Sequence, residues 1–226
     1  MFDFVVSSYT PTVSALLQAL SHPSGLEHPK IMAVAQSTSE THSALPNTKQ
    51  ELETLRHIAG EAGVDIVALE DESGTVDSVL HEMQHCNWVH LACHGTQELE
   101  HPTKSAFILA DGNLELAEII KTPLPHAEFA FLSACQTASG DPKLAEEAVH
   151  LAAGMLLAGY RGVIATMWAI LDKDGPVVSD VVYAEMLRDG KADHTRAAYA
   201  LHKAVQKLRL SGAPFMAWMP FIHMGM

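Results

Sequence analysis

The 226-residue chain carries 27 acidic against 14 basic residues, and its net charge of −13 repels phosphate backbones and anionic headgroups, so nucleic acid and membrane surfaces are not expected as partners. A hydrophobic share of 48% with 18% charged residues excludes a disordered chain, and the length suffices to bury a core without disulfides or structural metal. Three cysteines, an odd number without framework spacing, point to reducing conditions, cytoplasmic or nuclear. The start, Met1-Phe2-Asp3-Phe4, has neither a basic leader region nor a cleavable apolar one, so secretion is not expected. Phe2–Val6 reads as a first strand, and Thr10 before Pro11 reads as the cap of a helix whose face is Val13, Leu16, Leu17 and Leu20. After the Pro23/Gly25 break, Lys30–Ala35 is the second strand and Ser37–Pro46 an exposed loop.

Asn47 can cap a helix with the stripe Leu52, Leu55, Ile58 and Ala59, which Gly63 ends. Val64–Leu69 follows as a strand, Gly74–His85 as a helix and Trp88–Cys93 as a strand, an alternation that signals a parallel sheet covered on both faces. The rhythm then changes. Asp111-Gly112 between the apolar runs Ala106–Ala110 and Leu114–Leu116 predicts a hairpin. A short helix through Leu116–Ile120 leads to the strand Phe129–Leu132, and Asp141-Pro142 opens a helix that Gly159 closes. Leu151–Leu171 holds a single charge, Arg161, but the turn signal Gly159-Tyr160-Arg161-Gly162 divides it into a helix and the strand Val163–Met167, not a membrane span. Helices near Gly175–Leu187 and His194–Leu208 and an edge strand at Ala217–Ile222 complete the chain.

Two strands end in residues suited to chemistry. Trp88–Cys93 runs into His94-Gly95, and Phe129–Leu132 runs through small residues into Cys135. If both strands lie parallel in one sheet, their carboxyl ends share an edge, where open sheets bind ligands. His94 and Cys135 are therefore the expected catalytic dyad. A free thiol has a pKa near 8.5, so a neighbouring imidazole is needed to raise the thiolate fraction or to protonate a leaving amine. His90 reads as a core residue or a support behind the catalytic groups, and Cys86 and Cys93 as packing beside Trp88. His81-Glu82-Met83-Gln84-His85 matches the short zincin pentapeptide, yet the helix stops at Cys86-Asn87 and Trp88 stands where the longer signature needs glycine. No metal and no cofactor are expected.

The segments VHLACHG (Val89–Gly95), SAFILADGNLEL (Ser105–Leu116), FLSACQTASGD (Phe131–Asp141), EEAVHLAAGMLLAGYRGVIATMW (Glu146–Trp168) and PFMAWMPFIHMG (Pro214–Gly225) together resemble the CHAT domain, a separase-related family that often follows tetratricopeptide repeats. The resemblance implies one CHAT domain over residues 1–226. It implies a caspase-like α/β three-layer sandwich with a mostly parallel six-stranded central sheet, a β-hairpin insertion and a C-terminal edge strand. It also implies a cysteine endopeptidase acting on protein or peptide substrates, with His94 and Cys135 as the dyad and the backbone N–H groups of Gly95 and Cys135 as the oxyanion hole.

By the same resemblance, Trp168 lies in the separase-like loop after the sixth strand and lines a substrate pocket. The residue that follows it, acidic in separases, is Ala169 here, which leaves Asp172 to meet a basic P1 side chain or to cap a helix. No repeat helices precede the domain, so a tetratricopeptide-repeat regulator is expected either as a partner or as part of a longer chain. The alternative function is a catalytically silent CHAT module that binds proteins as a scaffold.

Overall fold

The computed structural model describes residues 5–21, 29–38, 42–98, 100–133, 135–136, 148–168 and 170–226. In chain order the elements are α1 (Val13–Ser21), β1 (Lys30–Ala35), α2 (Asn47–Ala62), β2 (Asp65–Glu70), α3 (Val76–Met83), β3 (Trp88–Ala92), β4 (His94–Thr96), β5 (Ala106–Ile108), β6 (Asn113–Glu115), α4 (Leu116–Lys121), β7 (Phe129–Leu132) and β8 (Cys135–Gln136). Then come α5 (Ala148–Leu157), β9 (Gly162–Thr166), α6 (Gly175–Met186), α7 (Ala197–Leu210), α8 (Phe215–Trp218) and β10 (Phe221–Gly225).

The central sheet has six strands in the order β10-β9-β7-β3-β1-β2, parallel throughout except for the antiparallel edge strand β10. Residues two apart on a strand face the same side, and β1 shows the consequence. Its Ile31, Ala33 and Ala35 pack into one core with Leu52 and Leu55 of α2 and Val178 and Val182 of α6. Met32 and Val34 point the other way, into a second core with Val79 and Met83 of α3, Ile119 of α4 and Met155 of α5. The result is helix, sheet, helix, the expected α/β sandwich. Each fully buried Leu, Ile or Phe in these layers contributes roughly 1.5–3 kcal/mol of transfer free energy.

The strands that continue past this sheet matter most for function. β3 and β7 are neighbours, and one residue beyond β3 the chain pairs again as β4, while β7 leads to β8. These extensions join the predicted hairpin in a second sheet of four strands, ordered β6-β5-β4-β8. The hairpin closes through the Leu109 amide, which donates to the Gly112 carbonyl at 2.8 Å.

Several local expectations change. Residues 2–4 of the expected first strand lie outside the described residues, and Val5 and Val6 are exposed and unpaired as strand, so the six strands are reached by counting the C-terminal edge strand. A single bridge at Tyr9 to Met224 is what this segment adds to the sheet. α1 starts at Val13, and Thr12 rather than Thr10 accepts from the Ala15 amide. Val13, Leu17 and Leu20 are exposed, because Ala19 is the residue that α1 buries. The edge strand spans Phe221–Gly225, and the residues before it form the short helix α8. The expected opening of the helix at Asp141-Pro142 lies outside the described residues. No helix among the described residues is long and apolar enough to cross a membrane.

Candidate active site

The carboxyl edge of the central sheet builds the site from two strands. In the parallel β4·β8 ladder, His94 is the register partner of Cys135, and Gly95 that of Gln136. The two residues singled out from the sequence are thus brought opposite one another by backbone pairing; the Cys135 side chain lies outside the described residues. On its other side β4 pairs with the hairpin, His94 opposite Ile108 and Gly95 opposite Phe107. Gly95 is buried in the middle of this sheet.

His94 is 4% exposed. Its Nε2 lies 2.7 Å from the carbonyl oxygen of Ser43, and since a carbonyl only accepts, the hydrogen sits on Nε2. In the neutral ring that leaves Nδ1 as the basic nitrogen, and no hydrogen-bond partner among the described residues meets it. The His42 ring lies against the His94 ring, with centroids 5.0 Å apart at 31°. The loop after β1, expected to be merely exposed, therefore covers and orients the imidazole. Nothing in its composition announced that.

Asp172 and Trp168 both lie in the segment between β9 and α6. The Asp172 carboxylate accepts from the Asn47 amide at 3.0 Å and from Asn47 Nδ2 at 2.6 Å. It acts as a helix cap, for the start of α2 rather than for the segment that follows it. Asn47 is itself the first helical residue, Pro46 before it offers no side-chain acceptor, and an acid 125 residues away satisfies the free N–H. Trp168 is half-buried and donates from Nε1 to the Met216 carbonyl at 3.4 Å, tying the loop after β9 to α8.

A cleft opens beside the hairpin, lined by Gln36, Thr38, Asp71, Ile108, Asp111 and Asn113 among others. Burial opposes ionisation of Asp71, but Lys49 at 2.7 Å and the donors of Ser37 outweigh it and hold the carboxyl below its usual range. Asp71 stays charged near neutrality but is paired with Lys49, and Glu72 and Asp111 add two further carboxylates to the lining.

The other cysteines and the histidine pair behave as structure. Cys86 and Cys93 are fully buried, and burial pushes the Cys86 thiol up to about 11. α3 ends at Met83, with Thr75 and Ser78 forming a capping box at its start, so His85 lies past the last turn and donates from Nδ1 to the His81 carbonyl at 2.7 Å. Among the described residues no three His, Cys, Asp or Glu side chains gather where they could hold a metal ion.

Glu51, Ser133 and Tyr183 carry no sequence signal of their own, yet they gather around His90. Glu51 of α2, Ser133 after β7, His90 of β3 and Tyr183 of α6 form one polar cluster in the core shared by α2 and α6. His90 occupies a position whose strand neighbour on the same face, Trp88, is apolar. A histidine at a core position was the one available signal.

The family model of the CHAT domain matches residues 3–226. No curated protein matches the sequence. Among solved structures, the Arg-specific cysteine proteinase gingipain R is similar, with a TM-score of 0.57 at 11% identity over 93% of this chain and 50% of that one. The complex of Porphyromonas gingivalis RgpB pro- and mature domains gives a TM-score of 0.61 at 12% identity, over 93% and 51%. The chain spans about half the length of these structures. At such identities the likeness concerns the fold, which is that of caspase-like cysteine proteinases.

Proposed function

Because the chain belongs to the CHAT domain family, we propose that it is a cysteine endopeptidase in which His94 and Cys135 hydrolyse a peptide bond. The observation that carries this reading is the β4·β8 register, which sets a histidine and a cysteine opposite each other at the carboxyl edge of the sheet.

In the proposed reaction His94 Nδ1 takes the thiol proton and the Cys135 sulfur attacks the scissile carbonyl carbon. The carbonyl oxygen, now an anion, is held by the N–H groups of Gly95 and Cys135, a device worth on the order of 3–4 kcal/mol per donor in proteases. Collapse breaks the C–N bond, and the imidazolium gives its proton to the departing amine. A water then loses a proton to Nδ1 and splits the thioester, releasing the acid and restoring the thiol. Ser43 supports both stages, since its carbonyl holds the Nε2–H and stabilises the ring when it is charged.

The substrate is a polypeptide. Its chain would cross the sheet edge near Ile108, where the carboxylates of Glu72 and Asp111 favour a basic residue. Three cysteines without framework spacing suit a reducing compartment, and we place the activity in the cytosol. The test is cleavage of a peptide library by the wild-type protein and by Cys135→Ala, each alone and with a tetratricopeptide-repeat regulator supplied. Cleavage that persists in Cys135→Ala, or that is absent throughout, removes the proposal in favour of a binding module.

A further inference from the structure

One buried carboxylate touches both strands that carry the dyad. Glu51, 2% exposed, accepts a hydrogen bond from Ser133 Oγ at 3.1 Å through Oε2. Its Oε1 lies 3.2 Å from His90 Nε2. Ser133 stands two residues before Cys135, and His90 four residues before His94. The contacts thus fall on the middle residue of β3, which pairs with Phe131 of β7, and on the residue that follows β7 on the way to β8.

The partners are themselves held. His90 stacks on Phe131, its register neighbour on β7, with ring centroids 5.0 Å apart. Its Nδ1 lies 3.1 Å from the Tyr183 hydroxyl. Burial raises the Tyr183 phenol well above its ordinary range, so that hydroxyl keeps its proton and remains a donor. The fourth wall is the start of α6. A methyl group on Gly175 would come 2.9 Å from Glu51 Oε2, closer than real side chains approach, and 3.0 Å from Ser133 Oγ, a tight contact, so one of these groups would have to shift. The glycine is needed for space, because its own backbone is right-handed helical with φ −53°.

A buried carboxylate without donors is costly, so each strand keeps its group aimed at Glu51. The hydrogen bond from Ser133 and the 3.2 Å approach of His90 to one buried carboxylate limit how far the two strands can slide or part. We propose that Glu51 is a positioning residue that sets the spacing of β3 and the end of β7, from which the His94 and Cys135 strands continue. Its value for catalysis rests on the endopeptidase reading; the positioning itself does not.

The experiment uses Glu51→Gln and Gly175→Ala, the second displacing the same hydrogen bond from the α6 side while favouring the helix. Two readouts are taken on each: hydrogen exchange by mass spectrometry, and alkylation of Cys135 by iodoacetamide followed on its own peptide. Positioning predicts cooperative melting in both variants, with exchange accelerated about tenfold or more at residues 94–96 and 135–136 and unchanged in β1 and β9. Cys135 alkylation should slow by about 10- to 100-fold, the scale of a misplacement near 1 Å. Wild-type exchange at residues 94–96 in both variants, or a rise spread evenly over every strand, overturns the proposal. Local exchange that rises while Cys135 alkylates like an ordinary free thiol in wild type and variants alike upholds the positioning and removes the peptidase reading.

Discussion

The imidazole of His94 donates from Nε2 to the carbonyl of Ser43 at 2.7 Å, across 51 residues of sequence. That one contact sets the tautomer, and with it which nitrogen can act as base. It also makes the loop after β1 part of the candidate active site.

The dyad reading makes a direct kinetic prediction. His94→Ala and Cys135→Ala should each lower kcat/KM for a cleaved peptide by about 10³-fold or more, and the double variant should be little worse than either, as for residues that act as a unit. Losses that multiply would mean that the two side chains work independently. Progress curves on one peptide are sufficient.

Thiol chemistry separates the three cysteines. Cys86 is fully buried and its thiol sits at about 11, so roughly one part in a thousand is thiolate at pH 8. Cys93 is equally inaccessible. In the folded protein iodoacetamide should therefore modify Cys135 first, with Cys86 and Cys93 reacting only after denaturation. Peptide mass mapping over a time course reads the order, and early labelling of Cys86 contradicts it.

Acid should destabilise the fold through His223. This fully buried histidine lies 2.8 Å from Ser8 Oγ, and burial lowers its pKa from 6.5 to about 4. The unfolded chain then binds more protons than the folded one between those values, so the stability present above pH 6.5 is lost as the pH falls towards 4. The shift corresponds to about 3 kcal/mol for this one group. Urea titrations at pH 7 and pH 4.5 should show the drop, and His223→Gln should flatten it. An equal slope in wild type and variant would assign the acid sensitivity elsewhere.

Asp172 offers a separation between capping and recognition. Asp172→Ala removes the acceptor for the Asn47 amide and should cost about 1 kcal/mol, seen as a lower melting temperature. Asp172→Asn keeps an acceptor and should recover most of that loss. If cleavage preference at P1 is unchanged in both, the residue serves α2 alone. A loss of preference for basic P1 residues in Asp172→Asn would return it to the substrate pocket.

How much was legible depends on the range of the interaction. Strand alternation in Lys30–Ala35, the Asp111-Gly112 hairpin and the left-handed Gly63 after α2 follow from chemistry within a few residues, and each was readable in the chain. So was the pairing of a strand ending in His94 with one ending in Cys135, because parallel strands of one sheet share a carboxyl edge. For Val5 and Val6, the described part of the expected first strand, it was not, since a short apolar run does not say whether a partner edge is free.

Contacts made across the whole chain were decided only by the tertiary structure. Ser43 against His94, Asp172 on the start of α2, and Glu51 between His90 and Ser133 join residues 51, 125, 39 and 82 positions apart. Apolar patterning is a repeated signal that survives in one dimension. A hydrogen bond needs only two groups, and which two meet is fixed by how the layers pack.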